Sequence, residues 1–454
     1  MQTKPVTHNG ASSNGESAID DAATAGGTRP HMGTFFSFRY RDYSFLWAGT
    51  LLGSAGMWIQ QTTMGWIVYD LTNSSSMLGA ISAAGGIPTL LIVPLAGVAA
   101  DRFSRRWLML VSQIAVCFLT LALGVGLAMH GIAVWHLFVF TGLFSVAMAF
   151  NQPVRQTVVF DLVPREAIPN AVALNSAGFN ATRALGPTVA GFLIAAFGPA
   201  GNFFIQAMLY MLVIVTVLLI SFPKRQWARQ SGSTTKYLAE GFRYVAKDPT
   251  ARMLVLLGLI PPLLVMPAFM SLMPVFAKDI FHAGPQGLGL LLSANGLGGL
   301  LGALFTASLG GFDRRGLLQL SALAGIGIAG VAFAFSPSLL VALPLLMAAG
   351  FCGMVYMTTN QTVIQVSIPD EMRGRVTSIL MLNMGLMPLG GLIAGFGAEY
   401  LGAPVTVATM CSITLAISLL VLLLVPRIRN LRLSQVASRT SQPRSPVEQE
   451  LVAR

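Results

Sequence analysis

The chain has 454 residues, 54% of them hydrophobic and 10% charged, with a mean hydropathy of +0.70 and a formal charge of +11. Soluble proteins carry about 25% charged residues, and much of any globule's surface stays wet, so this composition excludes an ordinary soluble fold. A bilayer accommodates it, because each spanning helix needs about 20 mostly apolar residues.

Residues 1–34 are rich in Gly, Ser, Ala, Thr and Asn and lack an apolar core, which predicts a disordered cytoplasmic tail and no signal peptide. Apolar runs then predict helices near 44–69, 76–100, 107–129, 133–160, 168–197 and 200–222. A polar stretch at 223–250 separates these from the rest, and within it 235–247 has the pattern of an amphipathic helix lying on the inner membrane surface. Six further runs fall near 251–276, 286–309, 316–335, 338–365, 374–399 and 403–425, followed by a basic cytoplasmic tail at 426–454. The expected organisation is an N-terminal six-helix bundle at 35–222, a linker, and a C-terminal bundle at 251–425. Forty-seven glycines suit close helix packing in a membrane. Cys117, Cys352 and Cys411 lie inside apolar runs and read as small buried residues, with no disulfide or metal expected.

Lys and Arg gather on one side of this array. Arg39 and Arg41, then Arg102, Arg105 and Arg106, then Arg165, the 223–250 linker, Arg314 and Arg315, Arg373 and Arg375, and the tail from Arg427 onward all fall there. The opposite loops contribute only Lys278. The positive-inside rule then places both termini in the cytoplasm and requires an even number of spans. The same distribution accounts for a pI of about 10.1 without nucleic acid.

The halves also resemble each other. Asn151-Gln152-Pro153-Val154-Arg155-Gln156 in the fourth run matches Asn360-Gln361-Thr362-Val363-Ile364-Gln365 in the tenth, and the same offset superimposes Arg105-Arg106 on Arg314-Arg315. A six-plus-six duplication follows.

Gly97-Val98-Ala99-Ala100-Asp101-Arg102-Phe103-Ser104-Arg105-Arg106 resembles the major facilitator signature between helices 2 and 3, with Ala99 in place of Leu and Ser104 in place of Gly. Gly186-Pro187-Thr188-Val189-Ala190-Gly191 resembles the antiporter signature of helix 5. Arg39 to Trp47 and Pro369 to Arg375 resemble the branch that holds enterobactin exporters, macrolide efflux proteins and lysophospholipid transporters. The resemblance spans about 36–425 and implies an all-α membrane protein with twelve transmembrane helices in two six-helix bundles, seated in a bacterial cytoplasmic (inner) membrane. The span 4 arginine signature of many drug:proton antiporters is not evident.

Physical chemistry assigns roles to these motifs. Asp101 can pair with Arg102, Arg105 or Arg106, or face a helix N-terminus, and such a cluster can hold one conformation and release another; the alternative is that the arginines serve topology alone. Gly97 belongs to the same signature. Gly186, Pro187 and Gly191 allow close approach and a bend that seals the outer side, or else ordinary packing. Arg183 lies well inside span 5, where an arginine costs about 2.5–3.5 kcal/mol on insertion scales. With Asn180 one turn away, it either faces a cavity and attracts an anionic or electron-rich group, or anchors the helix. Gln61 and Met64 on helix 1, Asn151 and Gln152 on helix 4, Met270 on helix 7, and Asn360 and Gln361 on helix 10 complete the expected cavity lining. The bland alternative for the methionines is interhelical packing. Pro261, Pro262, Pro267 and Pro274 predict a broken or bent helix 7.

No Asp or Glu stands at the centre of a span; Asp70 and Glu399 lie near outer ends. Protons are the candidate coupling ion, with the carrier residue open. Neither a phosphate-loop pattern nor a zinc-protease pattern occurs, so no enzyme, cofactor or metal is expected. The expectation is a monomeric secondary transporter exporting amphiphilic small molecules of drug or siderophore type by alternating access. The alternatives are an importer or lysophospholipid flippase, and, in another class, a non-transporting membrane sensor or scaffold.

Overall fold

The computed structural model describes residues 33–222, 234–310, 312–368, 372, 374–376, 379–380 and 385–432, without the side chains at 94, 97, 98, 100–102 and 234–239. Most of both expected tails lies outside this set. Backbone amides in hydrocarbon must be satisfied within the chain, which long apolar runs achieve by coiling into helices.

The first half contains α1 (Arg41–Thr72), α2 (Ser75–Arg102), α3 (Arg105–Ala128) and α4 (Val134–Leu162). The 52-residue run Ile168–Leu219 is broken at Gly198, whose φ of +69° suits glycine, into α5 (168–197) and α6 (199–219). The linker forms α7 (Thr234–Lys247). The second half contains α8 (Pro249–Ile280), α9 (Gly284–Ser308), α10 (Arg315–Ala334), α11 (Leu339–Ser367), α12 (Met387–Leu401) and α13 (Ala403–Leu424).

Local chemistry sets several ends. Asn73 stops α1 in a left-handed cap, its N–H donating to the Tyr69 carbonyl at 2.8 Å. The Ser104 hydroxyl accepts the Trp107 N–H to start α3, and the Asp248 carboxylate accepts from Thr250 and Ala251 to start α8. His136 accepts the Ala133 N–H on Nδ1 and helps to cap α4. Prolines make α8 irregular: π-turns occupy Pro261–Val265 and Phe276–Ile280, as expected for a bent helix 7.

Among the described residues, nine helical segments are long and apolar enough to cross a membrane. The expected twelve is not reached on that measure for three reasons. Arg165–Leu219 counts once although Gly198 divides it. The 32-residue α1 is not among the nine. The 15-residue α12 follows residues that are partly outside the described set.

Helices α1 to α6 pack among themselves, as do α8 to α13. The starts of α1 and α3 and the ends of α4 and α6 share one side, called here the terminal side, with Ser221 bonded to Asp42 and Arg105 to Asp161; the loops after α1, α3, α5, α8, α10 and α12 form the far side. The linker helix docks on the second half, with Glu240 paired to Arg375 at 2.9 Å. The halves meet along α5–α9, α2–α12 and α1–α8. Glycines permit backbone contact there. A Cβ on Gly289 would stand 2.6 Å from the Pro187 carbonyl oxygen, one on Gly296 2.7 Å from that of Arg183, and one on Gly79 2.6 Å from that of Gly391. These contacts run from mid-height to the far side.

Candidate functional site

Level with these contacts, where α1 and α5 face α8 and α9, lies a cleft enclosing about 420 Å³ of space between atoms, part of it open to solvent. Trp58, Gln61, Thr62 and Gly65 line it from α1, and Arg183 and Pro187 from α5. Met270 and Pro274 of α8 and Leu288, Leu292, Asn295 and Gly296 of α9 form the other wall. Gln61 donates to the Met270 sulfur at 3.5 Å, joining the halves across the cleft.

Arg183 is half-buried and has no hydrogen-bond or ion-pair partner among the described residues. Its Nη2 lies 3.4 Å from where a Gly299 Cβ would be, so the guanidinium of the first half rests on the glycine surface of α9. One turn away, the Asn180 amide donates to the Ser176 carbonyl at 2.9 Å along its own helix.

The other candidates separate into groups. Met64 is 4% exposed and packs in the apolar core rather than lining the cleft. Asn151 is buried and donates to Ser112 Oγ on α3 at 2.9 Å; Asn360 is buried and accepts from Gln319 on α10 at 2.7 Å. Each therefore braces its own bundle, and the match between them follows the sequence repeat. Gln152 and Gln361 are exposed and lie outside the cleft lining. Gly186 abuts Trp58 of α1 within the first half, whereas the Pro187 carbonyl and Gly191 meet α9 at Gly289 and Pro285, so only the latter part of this motif packs the seam between the halves. Arg105 pairs with Asp161 of α4, and Arg106 donates to the Leu218 carbonyl at 3.1 Å. The side chains of Gly97, Asp101 and Arg102 lie outside the described residues.

Three features escaped the sequence reading. The first is the share of Trp58, Thr62 and Asn295 in the cleft. The second is Arg155, 8% exposed, which donates to Thr50 at 3.1 Å and to Asn151 at 3.4 Å while its Nη2 has no partner. Its signal was present in the repeat, where Ile364 occupies the matching position. The third is a set of far-side bonds between the halves. Lys278 donates to Asp70 at 2.8 Å and to Asn73 at 2.9 Å, Tyr69 donates to Asp279, and Glu399 accepts from Ser74 and from the Ser76 N–H at the start of α2. A carboxylate at a helix N-terminus is favoured by the helix dipole.

The Lys278–Asp70 pair is partly exposed, and such pairs contribute about 0–1 kcal/mol. Lys278→Ala is therefore expected to loosen the far side only slightly. Lys278→Glu, set against Asp70 and Asp279, is expected to open it, read as faster labelling of Gln61→Cys by an impermeant thiol reagent applied from that side. Adding Asp70→Lys should restore the slow rate. Equal rates in all variants would show that these charges do not hold the closure.

Two helical bundles meeting at a central cleft that is closed on one side define a major facilitator transporter. Residues 32–454 match the family model described as transmembrane secretion effector, and the chain belongs to that family. It is 28% identical over 396 residues to the multidrug efflux pump Tap of Mycolicibacterium fortuitum, covering 85% of this chain and 95% of that one. It is 25% identical to the staphyloferrin A transporter of Staphylococcus aureus, covering 83% and 94%, and 23% identical to macrolide efflux protein A of Streptococcus pyogenes, covering 82% and 92%. In fold it is similar to a bacterial homologue of the human lysosomal transporter Spinster in an inward-facing, unoccupied conformation, with a TM-score of 0.64, 16% identity and coverage of 89% and 99%. The nucleoside transporter NupG gives a TM-score of 0.67 at 15% identity, covering 83% and 97%.

Proposed function

We propose that this transporter exports amphiphilic small molecules of drug or siderophore type from the cytoplasm by alternating access. The observation that carries the reading is the cleft at the seam of the halves: mostly apolar walls, a few polar groups that can orient a ligand, and backbone contacts between the halves beside it and towards the far side. The lysine and arginine distribution supports a cytoplasmic terminal side in a bacterial inner membrane, which makes this conformation inward-open. Relatives named as multidrug, macrolide and staphyloferrin A transporters support a cargo of this size and character.

An ion gradient is the proposed energy source. Asp70 and Glu399, the weak sequence candidates for carrying a proton, are bonded across the far-side seam. A proton bound there would loosen the closure, which couples protonation to opening without a carboxylate at mid-membrane.

The test is accumulation of a macrolide, a lipophilic cationic dye and a catecholate siderophore in exporter-deficient bacteria carrying the gene. Lower accumulation of at least one compound, reversed when the proton gradient is collapsed, is the expected result. Raised accumulation would establish import instead, and no change for any compound would remove export of this cargo class.

A further inference from the structure

Arg183 carries the only charged side chain among the described residues lining the cleft. The opposite wall offers Met270, Leu288 and Leu292, with Asn295 and Gln61 as uncharged polar groups. A guanidinium in a weakly hydrated cleft attracts anions more strongly than one in water and repels cations by the same field. It also presents a planar donor fork, which matches a carboxylate in a bidentate geometry.

We propose, resting on the transport reading above, that the cargo is an anionic amphiphile: a molecule with one carboxylate or comparably acidic oxygen group for Arg183 and an aromatic or acyl body for the apolar walls. Lipophilic cations are excluded by the same charge. Arg183 therefore sets specificity.

Its position adds a consequence for transport. The guanidinium belongs to α5 but lies over Gly299 of α9, and the Arg183 carbonyl faces Gly296 on the same helix. An anion held at the guanidinium sits against both halves. Binding there supplies both halves with a shared contact, so the ligand bears on their relative orientation. Trp58, packed against Gly186 one turn along the helix from Arg183 and largely buried, contributes an apolar edge to the same lining.

The experiment is binding to the purified full-length chain in detergent, read by quenching of tryptophan fluorescence. The probes are 1-pyrenebutyrate, its uncharged amide and the corresponding amine, which share one body and differ in charge. The acid is expected to bind at least tenfold more tightly than the amide, with the amine weakest. In Arg183→Gln the acid should fall to the affinity of the amide, while the amide itself is unchanged, which shows that the cleft is intact. Arg183→Lys keeps the charge and loses the fork, so it should retain part of the preference; this variant decides the matter if Arg183→Gln does not fold. Equal affinities for acid and amide in the unaltered protein, tightest binding of the amine, or a preference that survives Arg183→Gln would each overturn the proposal. The assay reads binding alone. A charge preference without efflux in cells leaves the anion site standing and removes export, whereas efflux of the cationic dye without a charge preference does the reverse.

Discussion

Gly289→Val is expected to reduce transport to below about a tenth of the unaltered rate while leaving the protein at near-normal abundance. The Gly289 Cα faces backbone: a Cβ there would lie 2.6 Å from the Pro187 carbonyl oxygen, 3.0 Å from the Thr188 Cα and 3.3 Å from the Gly191 Cα. None of these atoms can swing aside as the tip of a flexible side chain would. To admit a branched side chain, α5 and α9 must separate, and the Thr188 N–H to Ser293 Oγ bond of 2.9 Å beside them must lengthen. Overpacking of this kind costs about 1–3 kcal/mol, which is about a 5- to 150-fold shift in an equilibrium. The cost falls on the far-side-closed conformation alone, because a conformation in which the halves part on that side relieves it. Each bundle keeps its own packing, so the loss should be seen in transport rate and in faster far-side labelling of Gln61→Cys, not in the amount of protein. Gly289→Ala, with one methyl, should fall between the two. A valine variant that transports normally would show that the α5–α9 contact does not limit the cycle.

Arg155→Met is expected to raise the thermal stability of the purified protein and to lower its transport. The guanidinium is buried against Thr50 and Asn151, makes no ion pair among the described residues, and leaves Nη2 without a partner. Burying a charge without a counter-charge is costly, and exchange of buried ionic groups for apolar ones of similar volume is neutral or stabilising by about 1–4 kcal/mol. Methionine follows the path of the arginine stem and fills most of its space. The substitution leaves Asn151 with its bond to Ser112, so the α3–α4 brace persists. A charge kept against such a cost is expected to serve function, and this one occurs in only one of the two repeats. Thermal unfolding followed alongside transport checks both halves of the prediction. A melting temperature several degrees lower would mean that the guanidinium contributes more to the bundle than its visible bonds suggest.

The class of protein was legible in the chain, because it depends on a sum over local sequence: apolarity over about twenty residues. The proposed orientation rests on a sum of the same kind, lysine and arginine in successive loops, and the expected duplication on one offset relating Asn151 to Asn360 and Arg105 to Arg314. Arg183 stood out for the same reason, as a charge within an apolar run. Tertiary structure alone decided which polar residues share a space. Asn151 and Asn360 looked like a matched pair of cavity residues, yet both turn to the preceding helix of their own bundle. A helix rotates by 100° per residue, so a small rotation about its axis decides whether a side chain meets the seam or the bundle interior, and composition carries no record of that angle. Helix α8 shows the limit most clearly. Met266, Met270 and Met273 share a face if the helix is regular, but the π-turn at Pro261–Val265 and the interruption between Met270 and Met273 reset the register. Met270 reaches the cleft and Met273 is fully buried. Trp58 and Asn295 line one cleft because glycines let α5 and α9 come into backbone contact, a closeness that belongs to two distant segments together and to neither alone.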